Sequence, residues 1–282
     1  MAQFTNQAQL TYNNATVSSN VVVGQLQEVL SATKTAVNGS YRAGDTVTYA
    51  INLVNSGTAA VTGLTLTDDL GAYSPTTGTT YRPSEYVAGT VRYFINGVRQ
   101  TAPTATAGDN LVLTGITVPA GGNVTILYDV LVNGYADPTE TGTLTNTATV
   151  TGGGITPLTA TESIPADTGT RLSITKSVSP VPVVENGVLT YTFLIENAGR
   201  AADAAGNLTV TDTFQPILTG ITVTLNGTAL TAGTDYTYDE TTGVFATVPG
   251  RIAVPAATYT QGTDGVWVTT PGTATLTVSG TI

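Results

Sequence analysis

Apolar and polar residues alternate along most of this chain, in short runs separated by turn residues. Residues 46–54, TVTYAINLV, carry an apolar or aromatic side chain at every second position, and residues 123–132, NVTILYDVLV, repeat the pattern. A period of two is typical of strands that bury one face. Turn signals recur about every 8–12 residues, as in β-sandwiches. The pattern therefore predicts an all-β protein.

The strand pattern occurs twice. Residues 30–70 and 172–214 share the frame Leu-Ser-x-Thr-Lys, Thr-Tyr, Asn-x-Gly and Thr-Asp. The frame aligns Lys34 with Lys176, Tyr49 with Tyr191, Asn55 with Asn197, and Asp68 with Asp212. Each copy continues into an Asn-Gly dipeptide between alternating runs, which predicts a tight hairpin. We expect two tandem β-sandwiches, over residues 28–166 and 171–282.

A second repeat links the two ends of the first domain. Residues 4–24 align without a gap with residues 144–164, and both segments are two alternating runs around a turn. The alignment places Phe4 on Leu144, Asn6 on Asn146, Ala8 on Ala148 and Leu10 on Val150. The second domain has no such hairpin before Ile282. We therefore expect residues 1–27 to form a donor hairpin that completes the second domain of another molecule.

The amino-acid composition excludes several kinds of catalytic and metal-binding site. The 282 residues include no Cys and no His, and only 10% are charged. Disulfides, thiolate nucleophiles, Ser-His-Asp triads and zinc sites of the HExxH type are therefore absent, so we expect neither an enzyme nor a cofactor. The net charge of −10 argues against binding to nucleic acid. No apolar run reaches the roughly 20 residues of a membrane span, and the first residues show no secretion signal.

The shared motifs resemble a known family. The Lys-Thr start, the Thr-Tyr strand, the Asn-x-Gly turn, the Thr-Asp strand and the Asn-Thr-Ala-Thr-Val ending at 146–150 are similar to the bacterial conserved repeat called domain of unknown function eleven. The resemblance implies immunoglobulin-like modules of the kind found in bacterial surface proteins and some spore-coat or spore-appendage proteins. The second copy departs from the pattern because it lacks the Asn-Thr-Ala-Thr-Val ending.

Both lysines of the chain fall at the same position of the two copies. The alternation of side chains along each strand predicts that both lysines, Lys34 and Lys176, point towards the core. The same alternation places two aspartates and two asparagines on the apolar faces: Asp68, Asp212, Asn146 and Asn6. A neutral buried lysine can attack an asparagine amide to form an isopeptide bond, promoted by a protonated aspartic acid. A buried Lys–Asp ion pair, with the asparagine as an additional hydrogen-bond partner, explains the same residues.

The asparagine partners differ between the two copies. Asn146 would serve Lys34 within one chain, whereas Asn6 of a neighbouring molecule would serve Lys176. Asn55 and Asn197 are alternative partners, although each also fits a turn at a strand end. No loop of alternating oxygen ligands accompanies the aspartates, so we predict no metal site.

These expectations favour a structural protein of a bacterial cell or spore surface. Its subunits would polymerise head to tail, with the apolar side chains of Phe4, Ala8 and Leu10 buried in the next subunit. The linker to Lys34 is short and the first domain separates donor from acceptor in sequence, which favours closure between molecules. The alternative is a monomeric adhesin or stalk module whose own hairpin folds back.

Overall fold

The computed structural model describes residues 2–26, 28–76, 78–202 and 207–282, and every regular element in this part of the chain is a strand. The protein is all-β, as predicted. The strands group into two compact units, Met1–Ala136 with Thr143–Ile164, and Asp137–Gly142 with Pro165–Ile282. Residues 137–142, which the sequence pattern assigned to the first domain, group with the second. No helix capable of crossing a membrane occurs among the described residues.

The N-terminal segment forms one irregular hairpin of four short strands. They are β1 (Ala2–Asn6), β2 (Gln9–Tyr12), β3 (Ala15–Ser18) and β4 (Val22–Leu26). β1 pairs with β4, and β2 pairs with β3. Asn13 and Asn14 turn the chain with φ of 45° and 62°, as a two-residue type I′ turn requires. We call residues 2–26 the terminal hairpin.

The first unit is a sandwich of two sheets. Its strands are β5 (Leu30–Ala36), β6 (Thr46–Asn55), β7 (Val61–Asp68), β8 (Tyr73–Thr76), β9 (Thr79–Tyr81), β10 (Ser84–Tyr86), β11 (Arg92–Ile95), β12 (Val98–Gln100), β13 (Thr104–Ala107), β14 (Leu111–Val118), β15 (Asn123–Val132), β16 (Thr143–Gly152) and β17 (Leu158–Pro165). One sheet has the order β12-β11-β15-β6-β5, with β10 also on β15, and the other has β13-β14-β7-β16-β17. β8 and β9 form a separate hairpin.

Alternation explains how the first core forms. In β6 the side chains of Val47, Tyr49, Ile51 and Leu53 have no exposed surface, and the residues between them are half-buried or exposed. β14, β15 and β16 repeat this pattern. Burial of each aliphatic or aromatic side chain contributes about 1.5–3 kcal/mol. The two sheets therefore meet over a continuous apolar layer.

The second unit repeats the first in shorter form. Its strands are β18 (Leu172–Ser179), β19 (Val188–Asn197), β20 (Thr211–Thr213), β21 (Thr219–Leu225), β22 (Thr228–Ala229), β23 (Tyr236–Tyr238), β24 (Val244–Thr247), β25 (Thr258–Gln261), β26 (Trp267–Thr270) and β27 (Gly272–Thr281). One sheet has the order β18-β19-β27-β21-β22, and the other has only β20-β24-β23. Phe214, Phe245 and Leu276 are fully buried between them.

The Asn-Gly hairpins occur where the sequence predicts them. Ile95 pairs with Val98 around Asn96-Gly97, and Leu225 pairs with Thr228 around Asn226-Gly227. All four turn residues have positive φ, which asparagine and glycine tolerate best. These hairpins give β11–β12 and β21–β22 the same place in the two units.

The units differ most at one edge of the second sheet. In the first unit β7 pairs with β14 on one side and with β16 on the other. In the second unit β20 pairs with β24 and lies at the end of its sheet, and nothing among the described residues of that unit corresponds to β16 and β17. The free edge of β20 is therefore the main difference between the two units in the described residues.

Candidate functional site

The first lysine lies inside its unit. Lys34 on β5 reaches across the sandwich to Asp68 on β7, with 2.5 Å between Nζ and Oδ2, and neither side chain has exposed surface. The ammonium lies 4.5 Å from the ring centre of Tyr49 and 6.0 Å from that of Tyr128. Aromatic faces attract a cation and exclude water. Lys34 is thus held in a dry aromatic pocket against one carboxylate.

Asp68 is the centre of a hydrogen-bond network. One carboxylate oxygen accepts bonds from the Lys34 ammonium and the Tyr128 hydroxyl. The other accepts the backbone N–H of Leu70, at 3.0 Å. Burial lowers the pKa of Lys34, although its attraction to Asp68 opposes that change. Burial raises the pKa of Tyr128, so this hydroxyl keeps its proton and donates it.

Asn146 is the unusual member of this site. It lies on β16 with no exposed surface, and neither its Oδ1 nor its Nδ2 has a hydrogen-bond partner. Its side chain lies beside the Tyr49 hydroxyl, but no well-formed hydrogen bond joins them. Burial raises the pKa of Tyr49, and the neighbouring Asn146 partly opposes that rise. An unsatisfied buried polar group costs about 1–3 kcal/mol. A carboxamide in such a position needs a chemical or structural explanation.

Strand register places Asn146 on the same face as Asp68. Ala148 pairs directly with Asp68, and Asn146 lies two residues before Ala148, so its side chain points to the same side of the sheet. β16 also contacts β5 from the opposite sheet. The lysine, the carboxylate and the amide are therefore all buried in the core of the first unit, with Asn146 and Asp68 on the same face of their sheet.

The alternative asparagines have other roles. Asn55 pairs with Leu30, four residues along β5 from Lys34, and it donates to the carbonyls of Ala59 and Pro119. Asn197 likewise pairs with Leu172 and donates to the carbonyl of Pro255. Four residues of strand span about 13 Å. Both side chains are engaged as turn residues away from the lysines.

The second lysine has the same kinds of neighbours as Lys34 but is partly exposed to solvent. Lys176 on β18 pairs with Asp212 on β20 and lies 4.4 Å from the ring centre of Tyr191. The lysine side chain is nevertheless 40% exposed and the aspartate 18% exposed, against zero for both in the first unit. No asparagine of the second unit's described residues takes the place of Asn146.

The uncovered surface continues along β18. Its core-facing residues Leu172, Ile174 and Val178 are 39%, 53% and 39% exposed, whereas Leu30 on β5 is 6% exposed. β16 covers β5 in the first unit, and the free edge of β20 lies where β16 would pair. We call the surface formed by β18 and the free edge of β20 the acceptor groove.

The terminal hairpin has an uncovered apolar face. Pairing places Phe4 and Asn6 on the same side of β1–β4 as Val22, and Leu10 on the same side of β2–β3 as Val17, because directly opposed residues point to the same side. Alternation along residues 4–10 predicts that these two sides form one face. All four apolar side chains are between 54% and 68% exposed. The opposite face carries polar residues such as Gln9, Ser18, Thr11 and Thr16. We call the apolar side the donor face; Ala8, also exposed, lies between Asn6 and Leu10.

The terminal hairpin and the last hairpin of the first unit share their strand register near the open end. The hydroxyls of Thr145 and Ser163 lie 2.9 Å apart across β16 and β17. The sequence alignment maps that pair onto Thr5 and Val23, which are partners in β1 and β4. In the same region Phe4 faces Gly24, and its ring lies over the glycine. The corresponding positions in the first unit are Leu144 and Ile164.

Tyr128 is the site residue that sequence reasoning missed. It lies on β15 directly opposite Tyr49. The alternation in residues 123–132 predicts that its side chain faces the core. Its hydrogen bond to Asp68 depends on the distance between the two sheets, which strand phase does not determine. Groups of acidic residues able to hold a metal ion are absent from the described residues.

Comparison with known proteins gives no close relative. No family model matches the chain, and no curated protein matches it. Among solved structures it resembles the major pilin subunit BcpA of Bacillus cereus, at 12% identity and TM-score 0.36, covering 96% of this chain and 73% of that one. The major pilin SpaD of Corynebacterium diphtheriae has 14% identity and TM-score 0.36, covering 90% of this chain and 50% of that one.

The similar solved structures also include an enzyme. Red sea bream transglutaminase has 12% identity and TM-score 0.31, and the match covers 91% of this chain and 27% of the enzyme. Similarities at this level carry no argument about function. The functional argument therefore rests on the acceptor groove, the donor face and the lysine sites.

Proposed function

We propose that this protein is the structural subunit of a bacterial surface filament. The terminal hairpin of one molecule inserts into the acceptor groove of the next, and the repetition of this contact builds a head-to-tail homopolymer. The observation that carries the proposal is the pattern that the terminal hairpin shares with the hairpin that completes the first unit, together with their common register near the open end. The first unit thus serves as a template for the contact between molecules.

The donor side supports this proposal through its exposed apolar residues. A two-stranded hairpin is at best marginally stable alone in water. This one exposes Phe4 and Leu10, which the alternation of residues 4–10 predicts to lie on a single face. Such a face is suited to cover by another surface, as in strand-addition complexes. The similarity of the terminal hairpin to the last hairpin of the first unit favours the second unit of another copy as that surface.

The acceptor groove supports the proposed polymerisation because the edge of β20 is unpaired and the core-facing residues of β18 are exposed. By analogy with the pairing of β16 and β7, Ala8 would lie opposite Asp212 and Leu10 opposite Val210. Donor side chains would then cover Ile174 and Lys176 on β18. A free edge beside an exposed apolar strand favours association by strand addition. The contact is heterologous and does not close on itself, so it generates a filament.

A location on the outside of a bacterial cell or spore is part of the proposal. The chain has few charges and no oxidisable cysteine, which suits a durable exposed fibre. Its module pattern resembles repeats of bacterial surface and spore-associated proteins. Immunogold labelling of whole cells and spores with an antibody against this protein would test the location.

Polymerisation is tested by substituting the two faces of the terminal hairpin separately. Phe4→Asp and Leu10→Asp should abolish filaments in negative-stain microscopy and leave monomers in size-exclusion chromatography, because insertion would bury an unpaired charge. Gln9→Asp is the matched control on the polar face and should still form filaments. Equal behaviour of the three variants, or a monomeric wild-type protein, would favour the adhesin or stalk alternative.

A further inference from the structure

We propose that Lys34 and Asn146 join in an isopeptide bond promoted by Asp68, and that Lys176 forms the same bond with Asn6 of a second copy, promoted by Asp212. The first bond lies within one unit. The second rests on the proposed function, because Asn6 reaches Lys176 only when the terminal hairpin occupies the acceptor groove. The filament would then be a covalent chain.

The first site holds the reactants in the environment that this reaction needs. Lys34 and Asp68 lie in a dry pocket with 2.5 Å between Nζ and Oδ2, so one proton transfer converts the ion pair into a neutral amine and a carboxylic acid. The buried carboxamide of Asn146 has no hydrogen-bond partner. Tyr49 lies against both reactants, under the Lys34 ammonium and beside Asn146. Packing in this way replaces a diffusing catalyst with fixed neighbours.

The step balances without an external reagent. Lys34 Nζ attacks Cγ of Asn146, while the Asp68 carboxylic acid donates a proton to the amide oxygen. The carboxylate then accepts a proton from the attacking nitrogen and passes it to Nδ2 of Asn146. The Cγ–Nδ2 bond breaks, Nδ2 leaves as ammonia, and the oxygen returns its proton to Asp68 as the new amide carbonyl forms. The three protons of the original ammonium end on the new amide, on ammonia and on Asp68. Lysine and aspartate are both uncharged afterwards.

The unpartnered amide argues for the reaction over a static ion pair. A structural asparagine beside a Lys–Asp pair should donate or accept a hydrogen bond, since an unsatisfied polar group costs about 1–3 kcal/mol. The bond removes the unpartnered Nδ2 of Asn146 as ammonia, and it removes the lysine charge from the core. It therefore relieves the two least favourable features of the buried site at once.

The site around Lys176 differs from the site around Lys34 in two respects: it is exposed to solvent, and it has no asparagine from the described residues of its own unit. Lys176, Asp212 and Tyr191 repeat the positions of Lys34, Asp68 and Tyr49. Asn6 aligns with Asn146 and lies on the donor face. The hydroxyl contacts of Thr145 with Ser163 and of Thr147 with Thr161 place the acidic Glu162 across the hairpin from Asn146. Asn6 instead has Val22 as its partner. Insertion of the terminal hairpin would place Val22 near the Lys176–Asp212 pair and would shield that pair from solvent.

Intact-mass measurement of the denatured full-length protein tests the internal bond, whether or not filaments form. The Phe4→Asp chain, which should remain monomeric, should be lighter than its sequence mass by about 17 Da, one ammonia. Adding Lys34→Met or Asn146→Ala should restore the sequence mass, whereas Lys176→Met is the matched control and should not. Asp68→Asn keeps both partners and should also abolish the loss. A Phe4→Asp chain at its sequence mass would overturn the internal bond, even if it folds normally by circular dichroism.

Boiling wild-type filaments in detergent tests the bond between copies. A ladder of multiples of the chain mass is expected, and Lys176→Met or Asn6→Ala should convert it to monomer while filaments remain visible by microscopy. Filaments that boil to monomer in the wild type would overturn the bond and leave the proposed function standing. Absence of wild-type filaments would overturn the proposed function and the bond between copies together.

Discussion

At the scale of single residues, the site around Lys34 contains two tyrosines whose hydroxyls differ in one respect. Tyr128 donates to Asp68, whereas the Tyr49 hydroxyl has no hydrogen-bond partner. Their rings are neighbours, with centres 5.9 Å apart. The apolar parts of the two side chains are therefore comparable. The comparison isolates what the hydrogen bond to the buried carboxylate contributes.

Removing each hydroxyl should give different losses of stability. Tyr128→Phe should lower the free energy of unfolding of the first unit by about 1–3 kcal/mol, since it leaves a buried oxygen of Asp68 without this donor. Tyr49→Phe removes an unsatisfied group and should change it by less than about 1 kcal/mol. Urea unfolding followed by tyrosine fluorescence and circular dichroism measures both. Similar losses for the two variants would contradict this assignment of partners.

At the scale of strands, β7 and β20 have the same position but different numbers of partners. β7 is paired along both edges, and β20 along one. Amides on a free edge exchange with solvent readily, because no partner strand must first separate. The state of the β20 edge therefore reports directly on whether the terminal hairpin has been inserted.

Assembly should protect the free edge from hydrogen exchange. Peptides covering β20 should exchange at least about tenfold more slowly in filaments than in the monomeric Leu10→Asp variant, equivalent to about 1.4 kcal/mol. The terminal hairpin should slow in parallel. β7 supplies the internal control, because its partners are the same in both states. Unchanged exchange at β20 alongside intact filaments would place the contact elsewhere.

Strand phase predicts much of this architecture from sequence. It places Lys34, Asp68 and Asn146 in one core, because each shares its face with buried apolar residues. It does not predict that Asn146 lacks partners or that Tyr128 bonds to Asp68, since both depend on distances across the sandwich. It also misses the hairpin β25–β26, whose residues interrupt the second copy between Pro255 and Gly272 without altering the alternation on either side.

At the scale of the whole molecule, the donor and acceptor are different surfaces of the same chain. An interface between unlike surfaces has two separable halves, and each can be disabled alone. Phe4→Asp disables the donor face. Ile174→Asp disables the acceptor groove, and it should barely affect the unassembled protein because this side chain is already 53% exposed. Ser173→Asp, on the other face of β18, is the matched control and should assemble.

Mixing the two disabled variants should restore one contact and only one. The Ile174→Asp chain still presents a functional hairpin, and the Phe4→Asp chain still presents a functional groove, so the pair can form a dimer. That dimer has only disabled surfaces left, which prevents further growth. Light scattering coupled to size-exclusion chromatography should show monomers for each variant alone and a one-to-one dimer for the mixture. With Lys176 and Asn6 intact in the partners, boiling that dimer should also yield a single covalent band of two chains. Filaments from the mixture, or monomers only, would contradict the head-to-tail contact.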